Sequence, residues 1–317
     1  MDRFFEEAAE FLRNCEDALI ITHQSPDGDT IGSAFALKEA LYLMGKRAKV
    51  VCQEDFPERF HFITETDEHK CEDFKEKCVI AVDVADTALM GEDVEKEYKE
   101  KVDLCIDHHE TNKDYAERTL VIPEAAAACE VLFKLFEQME LKINTRIATC
   151  LYTGIVTDTG CFRFSNAGID THVIAAVLIA YGIDFPWINR HLFDVKTKQR
   201  IELESYLSQN IEYLYDDRVA VISVTKDIQE RFSMTSDDFD GITPLATKVE
   251  AVQIGILIKQ KAEDKFKISM RATGNINVGK ICATMGGGGH AKAAGCTVFG
   301  TFEEVKSKLI KTAGEYL

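Results

Sequence analysis

Residues 18–33 read ALIITHQSPDGDTIGS, an apolar run that passes directly into a cluster of imidazole and carboxylate side chains. Ala18 to Thr22 has the length and composition of a buried strand, and Pro26 and Gly28 predict a tight turn after it. His23, Asp27 and Asp29 then gather at the carboxyl end of that strand. The pattern recurs twice: CVIAV (78–82) delivers Asp83, and LCI (104–106) delivers Asp107, His108 and His109. Three strands ending in ligand-type residues are what an open parallel sheet needs to build a site along its carboxyl edge.

Carboxylate combined with imidazole suits divalent ions such as Mn²⁺, and a carboxylate bridging two ions about 3.5–4 Å apart makes the usual two-metal hydrolytic centre. Each piece also has a simpler reading. Asp-Gly-Asp is a common turn, Asp83 stands where a helix cap would, and adjacent histidines are compatible with a solvated loop or a core imidazole. Their joint occurrence at three strand ends, in a chain with only eight histidines, favours a metal-dependent hydrolase.

Working outward, strands at 18–22, 48–52, 78–82, 102–106 and 119–122 alternate with helical stretches such as 31–44, whose stop is Gly45. This predicts an α/β domain with a mostly parallel sheet flanked by helices over residues 1–185. From Glu124 to Gly182 the pattern is mostly helical and includes LYTGIVTDTGCFRFSN (151–166). Asp158 in that stretch is either a polar turn residue before Gly160 or a further ligand facing the sheet edge, and spacing leaves both readings open. The segment 186–214 has no glycine and is rich in polar helix formers, which predicts a connecting helix at the domain boundary.

A smaller α/β unit over 215–317 follows, with strands expected at 218–224, 251–259 and 265–271 and a closing helix at 302–314. It carries MGGGGHAKAAGC (285–296). Consecutive glycines expose amides suited to an anion, and His290 adds a donor, although such a run also serves as a flexible turn. Arg271, at the end of a predicted strand, is either a bidentate phosphate clamp or an ordinary surface arginine.

At 317 residues and 46% hydrophobic content the chain has ample material for two cores. No segment approaches the ~20 apolar residues of a membrane span. The start, MDRFFEEAAEFLRN, reads as an amphipathic helix with Phe4, Ala8, Phe11 and Leu12 on one face, not as a signal peptide. Ten cysteines without a CxxC pair read as reduced, buried thiols of a cytoplasmic protein. The net charge of −17 argues against tracking long nucleic acid, which requires many cationic phosphate contacts. It does not exclude a small anion, because two divalent ions would add about +4 locally.

THQSPDGDTIGS, the DVAD around Asp83, DHH, the TDTG around Asp158 and GGGGHAKAAG occur in an order that resembles the DHH phosphoesterase superfamily. The last motif is similar to that of the DHH-associated C-terminal domain of its nanoRNase and pAp-phosphatase branch. The resemblance covers nearly the whole chain. It implies two lobes with the active site in the cleft between them, two Mn²⁺ ions with Mg²⁺ or Co²⁺ as alternates, and substrates that are oligonucleotides of two to five residues or 3′-phosphoadenosine 5′-phosphate (pAp). It also implies His23, Asp27 and Asp83 as ligands of one ion, and Asp29, Asp83, His108 and Asp158 as ligands of the other, with Asp83 the bridge. Asp107 would orient its neighbouring metal-bound histidine, and His109 would face the substrate phosphate. Arg271, His290 and the amides of Gly288 and Gly289 would hold the far end of the substrate.

Two stretches depart from the family pattern: AAAACE (125–130) stands where relatives carry hydroxyl residues, and ALMG (88–91) where they carry an arginine. Neither is expected to touch a metal ligand. The competing readings are a pApA or cyclic-dinucleotide phosphodiesterase of the same superfamily and a nucleotide-binding protein without catalysis. No membrane partner is expected, and a homodimer is admitted.

Overall fold

The computed structural model describes residues 2–65, 74–234, 239 and 241–317. It divides into two compact units, Met1–Val195 and Lys196–Leu317.

In the first unit the elements run α1 (Asp2–Asn14), β1 (Ala18–Ile21), α2 (Gly28–Leu43), β2 (Ala48–Val51), α3 (His61–Thr64), β3 (Cys78–Val82), α4 (Glu92–Tyr98), β4 (Leu104–Asp107), β5 (Arg118–Val121), α5 (Ala128–Gln138), α6 (Thr145–Asp158), α7 (Ile169–Ala180) and α8 (Phe185–Asn189). The strands pair in the order β2-β1-β3-β4-β5, all parallel. Alternation sends Ile20, Ile80 and Val82 to a core shared with α1, α2, α5 and α6, while Leu19, Ile21, Val79 and Ala81 pack on the opposite face with Val94 and Tyr98 of α4. Cover on both faces is what allows these strands to be almost wholly apolar.

The order reverses between β1 and β3, which is the switch point where open α/β sheets leave a crevice beyond the strand ends. Helix α2 starts there. It is buried at every residue from Gly28 to Leu41, so its packing is set by small side chains and not by an apolar stripe. A Cβ on Gly32 would lie 2.5 Å from the Cys150 carbonyl of α6, and one on Gly154 would lie 2.7 Å from Asp29 Oδ1. Glycine normally weakens a helix interior by about 0.5–1 kcal/mol relative to alanine. Here it lets α2 and α6 approach closely, which carries Asp158 to the switch point.

The second unit contains α9 (Lys198–Gln209), β6 (Glu212–Leu214), β7 (Val219–Val224), α10 (Lys226–Arg231), α11 (Ile242–Ala246), β8 (Ile254–Ala262), β9 (Lys265–Ala272), α12 (Val278–Ala283), β10 (Gly288–Gly289), β11 (Ala293–Phe299) and α13 (Phe302–Gly314). Its sheet order is β10-β11-β9-β8-β7-β6, with β7 and β8 parallel and the other pairs antiparallel. Val219, Ile256 and Phe266 pack against α12 and α13, and Ala220, Ile222 and Leu257 against α9 and α11.

The single connecting helix expected over 186–214 is not what forms. Helix α8 runs into a wide turn over Arg190–Asp194 and stops at Val195, whose backbone is extended. Thr197 then starts α9 afresh by accepting a hydrogen bond from the Arg200 amide, and residues 212–214 join the sheet as its edge. Strand β8 begins three residues later than expected, because the Val252 amide closes a turn onto Val249. Among the described residues no helix is long and apolar enough to cross a membrane.

Candidate metal centre

Three strand ends and two helix termini build the site. β1 leads to His23. Asp27 caps α2, its Oδ1 accepting the amides of Asp29 (3.0 Å) and Thr30 (3.1 Å), a cap worth about 1 kcal/mol. Asp29, one position into the helix, is 1% exposed, and its two oxygens accept the amides of Ala128 (2.6 Å) and Cys129 (3.0 Å) at the start of α5. Two helix N-termini thus face one carboxylate, where their dipoles favour negative charge.

Asp83 follows β3 with a left-handed backbone (φ 57°), strained for a non-glycine residue, and is 3% exposed. Its Oδ2 lies 3.6 Å from His23 Nε2, and its Oδ1 lies 3.6 Å from His108 Nε2. That Oδ1 is buried without a hydrogen-bond partner. His23 Nε2 is also 3.7 Å from Asp27 Oδ1. His108 Nε2 is 3.8 Å from Asp29 Oδ2 and 3.5 Å from Asp158 Oδ2.

These separations exceed hydrogen-bond length. Two ligands each about 2.1 Å from one cation stand roughly 3.0–3.4 Å apart, so the donors lie at close to a shared-ligand spacing. The donors fall into two groups that could each hold a cation, His23 with Asp27 and Asp83, and Asp29 with His108 and Asp158; Asp83 also groups with His108 and His109. Asp83 presents one oxygen toward each of the first two groups, and its orphaned atom is the kind of buried acceptor that a cation satisfies.

The electrostatics agree. Burial, followed by repulsion from Asp29 and Asp27, pushes the Asp83 carboxyl well above the carboxylate range and lifts Asp158 to about 8. Burial also raises Asp29. Asp27 and Asp107 lie below their usual values: burial opposes this, but the nearby His23 imidazole with the amides of Thr30 and Asp29 outweighs it at Asp27, and hydrogen bonds from His109 and Asn112 outweigh it at Asp107. Carboxylates held close together and out of water need positive charge to ionise together.

The DHH triplet divides its work differently from the expectation. Asp107 Oδ1 receives His109 Nδ1 (2.8 Å) and the His108 amide (2.8 Å), so it orients the ring of His109, not that of His108. The His108 ring is fixed instead by its Nδ1 to the Ala125 carbonyl (3.2 Å). The hydrogen bond to Asp107 is the largest influence on the half-exposed His109 ring and raises it to about 9 in the metal-free chain.

The expectation that AAAACE stands clear of the ligands is also corrected. The alanine run supplies the carbonyl that holds His108 and the amides that hold Asp29, because helix α5 begins inside it. Leu89 lines the cavity of about 230 Å³ over His23, Asp27, Asp83, His109 and Asp158, and its carbonyl accepts the Gln24 amide at 2.6 Å. Sequence reading missed Asn112, whose Nδ2 donates to Asp107 Oδ2 at 2.6 Å. Its place five residues beyond Asp107, in an otherwise polar loop, was the available signal.

In the second unit the four glycines differ in what they do. Gly286 and Gly289 have positive φ (77° and 135°), and a Cβ on Gly287 would strike Gly295 and Cys296 of β11. Gly288 is exposed and has open space where its Cβ would be. The loop is therefore not simply flexible, since β10 pairs with β11 through Gly288–Gly295 and Gly289–Ala294. His290 is exposed beside it. Arg271 sits on β9 opposite Ala293 of β11, half-buried, its Nη1 donating to the Met270 carbonyl.

A 2-1-3-4-5 sheet with carboxylates and imidazoles converging at its switch point is the arrangement of a metal-dependent phosphoesterase. The chain belongs to the DHH family: the pattern of the DHH family, N-terminal domain, matches residues 17–155, and that of the DHHA1 domain matches residues 216–317. It is 31% identical to the bifunctional oligoribonuclease and PAP phosphatase NrnA of Thermus thermophilus, over 92% of this chain and 87% of that protein. It is 26% identical to the cyclic-di-AMP phosphodiesterase PdeA of Listeria monocytogenes, over 97% of this chain but 49% of that protein. The fold is shared with the crystal structure of an exopolyphosphatase-related protein from Bacteroides fragilis, with a TM-score of 0.91 at 24% identity, covering 100% of this chain and 97% of that one.

Proposed function

We propose that the chain hydrolyses oligoribonucleotides of two to five residues and pAp, using two Mn²⁺ ions. The observation that carries the metal pair is Asp83, a buried carboxylate whose two oxygens face two separate donor groups, one oxygen having no partner of its own. On this reading His23, Asp27 and Asp83 hold one ion, and Asp29, Asp83, His108 and Asp158 hold the other. When bound, the ions supply a water of lowered pKa and offset charge on the phosphoryl group.

The chain's own groups then position and bind. Asp107, itself held by Asn112, fixes His109 through Nδ1 and leaves its Nε2 free to donate to a phosphate oxygen. Arg271, His290 and the amides of Gly288 and Gly289 bind the part of the substrate remote from the scissile bond. Gly288 supports this role: neither its backbone angle nor its packing requires glycine, whereas close approach of a ligand would.

The substrate class rests on similarity to the Thermus thermophilus oligoribonuclease and PAP phosphatase, which this chain spans almost fully. The likeness to the Listeria cyclic-di-AMP phosphodiesterase favours a second reading, hydrolysis of pApA or a cyclic dinucleotide, but this chain spans only 49% of that protein. A binding protein without catalysis is disfavoured because all six metal-type side chains converge. Cytoplasmic residence and a homodimer complete the reading. The test is a Mn²⁺-supplemented panel of pAp, pApA, a cyclic dinucleotide, RNA of two to ten nucleotides and pyrophosphate. The expected result is fastest turnover of pAp and the shortest RNAs; preference for the longest RNA would overturn the proposal.

A further inference from the structure

The cysteines were expected to be reduced, buried thiols; all nine among the described residues are free, and seven of them are buried. Two of them are nevertheless face to face at the amino edge of the first sheet. Cys15, in the turn between α1 and β1, and Cys78, the first residue of β3, have their sulfurs 2.6 Å apart. That is well inside van der Waals contact and only about 0.5 Å longer than a disulfide bond. The pair stands away from the metal centre, because Cys78 and Asp83 are at opposite ends of β3, roughly 16 Å apart at about 3.3 Å per residue.

We propose that Cys15 and Cys78 form an oxidation site, a dithiol that peroxide converts to a disulfide locking the α1–β1 turn to β3. The Cys78 sulfur also lies 2.9 Å from the Glu16 carbonyl. Either sulfur can donate to the other, and with Cys15 as the donor Cys78 is lowered and Cys15 raised. That contact with Cys15 is the largest influence on Cys78; burial and the Asp103 carboxylate oppose a thiolate there, Lys46, whose ammonium donates to the Cys15 carbonyl at 2.6 Å, favours it, and the net direction is downward. Cys78 is therefore the attacking sulfur and Cys15 the resolving one. A cavity of about 270 Å³, lined by both thiols with Asn14, Lys77 and Asp103, admits a molecule the size of hydrogen peroxide.

The chemistry balances in two steps. The Cys78 thiolate attacks one peroxide oxygen and the O–O bond breaks, giving a sulfenic acid and, with one proton, water. Cys15 then attacks that sulfur, forming the S–S bond and releasing a second water. Two thiols lose two electrons to one peroxide. The bond joins residues 63 positions apart and encloses His23, Asp27 and Asp29 in its loop, so it restricts the unfolded chain.

The test treats the full-length protein with one equivalent of hydrogen peroxide and maps disulfides in a non-reducing digest. The expected product is a peptide pair linked through Cys15 and Cys78, the loss of two titratable thiols, and a Tm raised by about 5 °C or more that dithiothreitol reverses. In Cys15→Ser, which leaves Cys78 without a resolving thiol, dimedone should trap a sulfenic acid on Cys78. The proposal is overturned if Cys15 and Cys78 stay reduced in the wild-type chain, if Cys282 and Cys296 link instead, or if the linked form melts no higher than the reduced one.

Discussion

In the proposed reading the strand-end cluster of the first unit and the glycine loop of the second both meet a phosphate, by opposite means. The first gathers six charged or titratable side chains from positions 23 to 158, buries Asp29 and Asp83 among them, and leaves carboxylates that repel one another. The second uses one contiguous stretch, exposes it, and offers backbone amides with a single imidazole. The lesson concerns where energy is stored. A centre that activates water must hold charge under strain until a cation arrives, so the rest of the domain has to enforce it. A surface that only grips can be local and neutral.

Substitutions should separate the two regions. The largest effect is expected at Asp83: Asp83→Ala removes the one side chain common to both donor groups, and hydrolysis should fall by about 10³-fold or more. Next comes Gly154→Ala, far from any substrate contact. Its methyl group would press on Asp29 Oδ1 and the Cys129 side chain, and overpacking of this kind costs about 1–3 kcal/mol in denaturant unfolding. It should also weaken Mn²⁺ uptake, because Asp29 has nowhere to move between the amides of Ala128 and Cys129. Retained stability and metal affinity in that variant would show that the close crossing of α2 and α6 is not what positions the site.

In the glycine loop the effects should be smaller and of another kind. His290→Ala is expected to raise KM about tenfold while kcat changes little, measured on a dinucleotide. Gly288→Ala should raise KM without lowering Tm, since its Cβ meets open space. A fall in kcat without a change in KM for either variant would erase the contrast between gripping and activating regions.

The smallest effect is a pH dependence of the metal-free protein. Asp158 sits at about 8 in the folded chain, above its unfolded value, so the folded state binds more protons between the two. That contribution to stability is complete below about pH 4 and is lost as pH rises through about 8. Metal-free wild type should therefore lose more Tm between pH 5 and 8 than Asp158→Asn does, and saturating Mn²⁺ should flatten the difference.

Much of the candidate centre was legible because the groups beginning at His23, Asp83 and Asp107 each follow an apolar run that reads as a strand; Asp158, at the end of helix α6, was left open. His23, Asp83 and His108 needed only the rule that parallel strands present their carboxyl ends together. The parts that failed depend on contacts across the chain. Nothing in AAAACE signals that its amides would cap a carboxylate 99 positions earlier, since backbone donors have no sequence signature. The partner of Asp107 was misassigned for a similar reason: two adjacent histidines are equivalent in sequence, and only the Ala125 carbonyl tells them apart. The break at Val195–Thr197 was hidden because no glycine or proline marks it; the available signal was Thr197, an N-cap residue ahead of Lys198, Gln199 and Arg200. Strand β10 was missed because it is two glycines, and β11 because it opens on alanine and glycine, although Thr297, Val298 and Phe299 carry a strand signal.

The central claim is that Asp83 joins two cation sites into one centre. It is tested most directly by elemental analysis of bound manganese after Mn²⁺ loading and desalting, on wild type and Asp83→Ala side by side. The account predicts two ions per chain in the wild type and at most one in the variant, with circular dichroism unchanged. Two ions retained in Asp83→Ala, or fewer than one in the wild type, would contradict it.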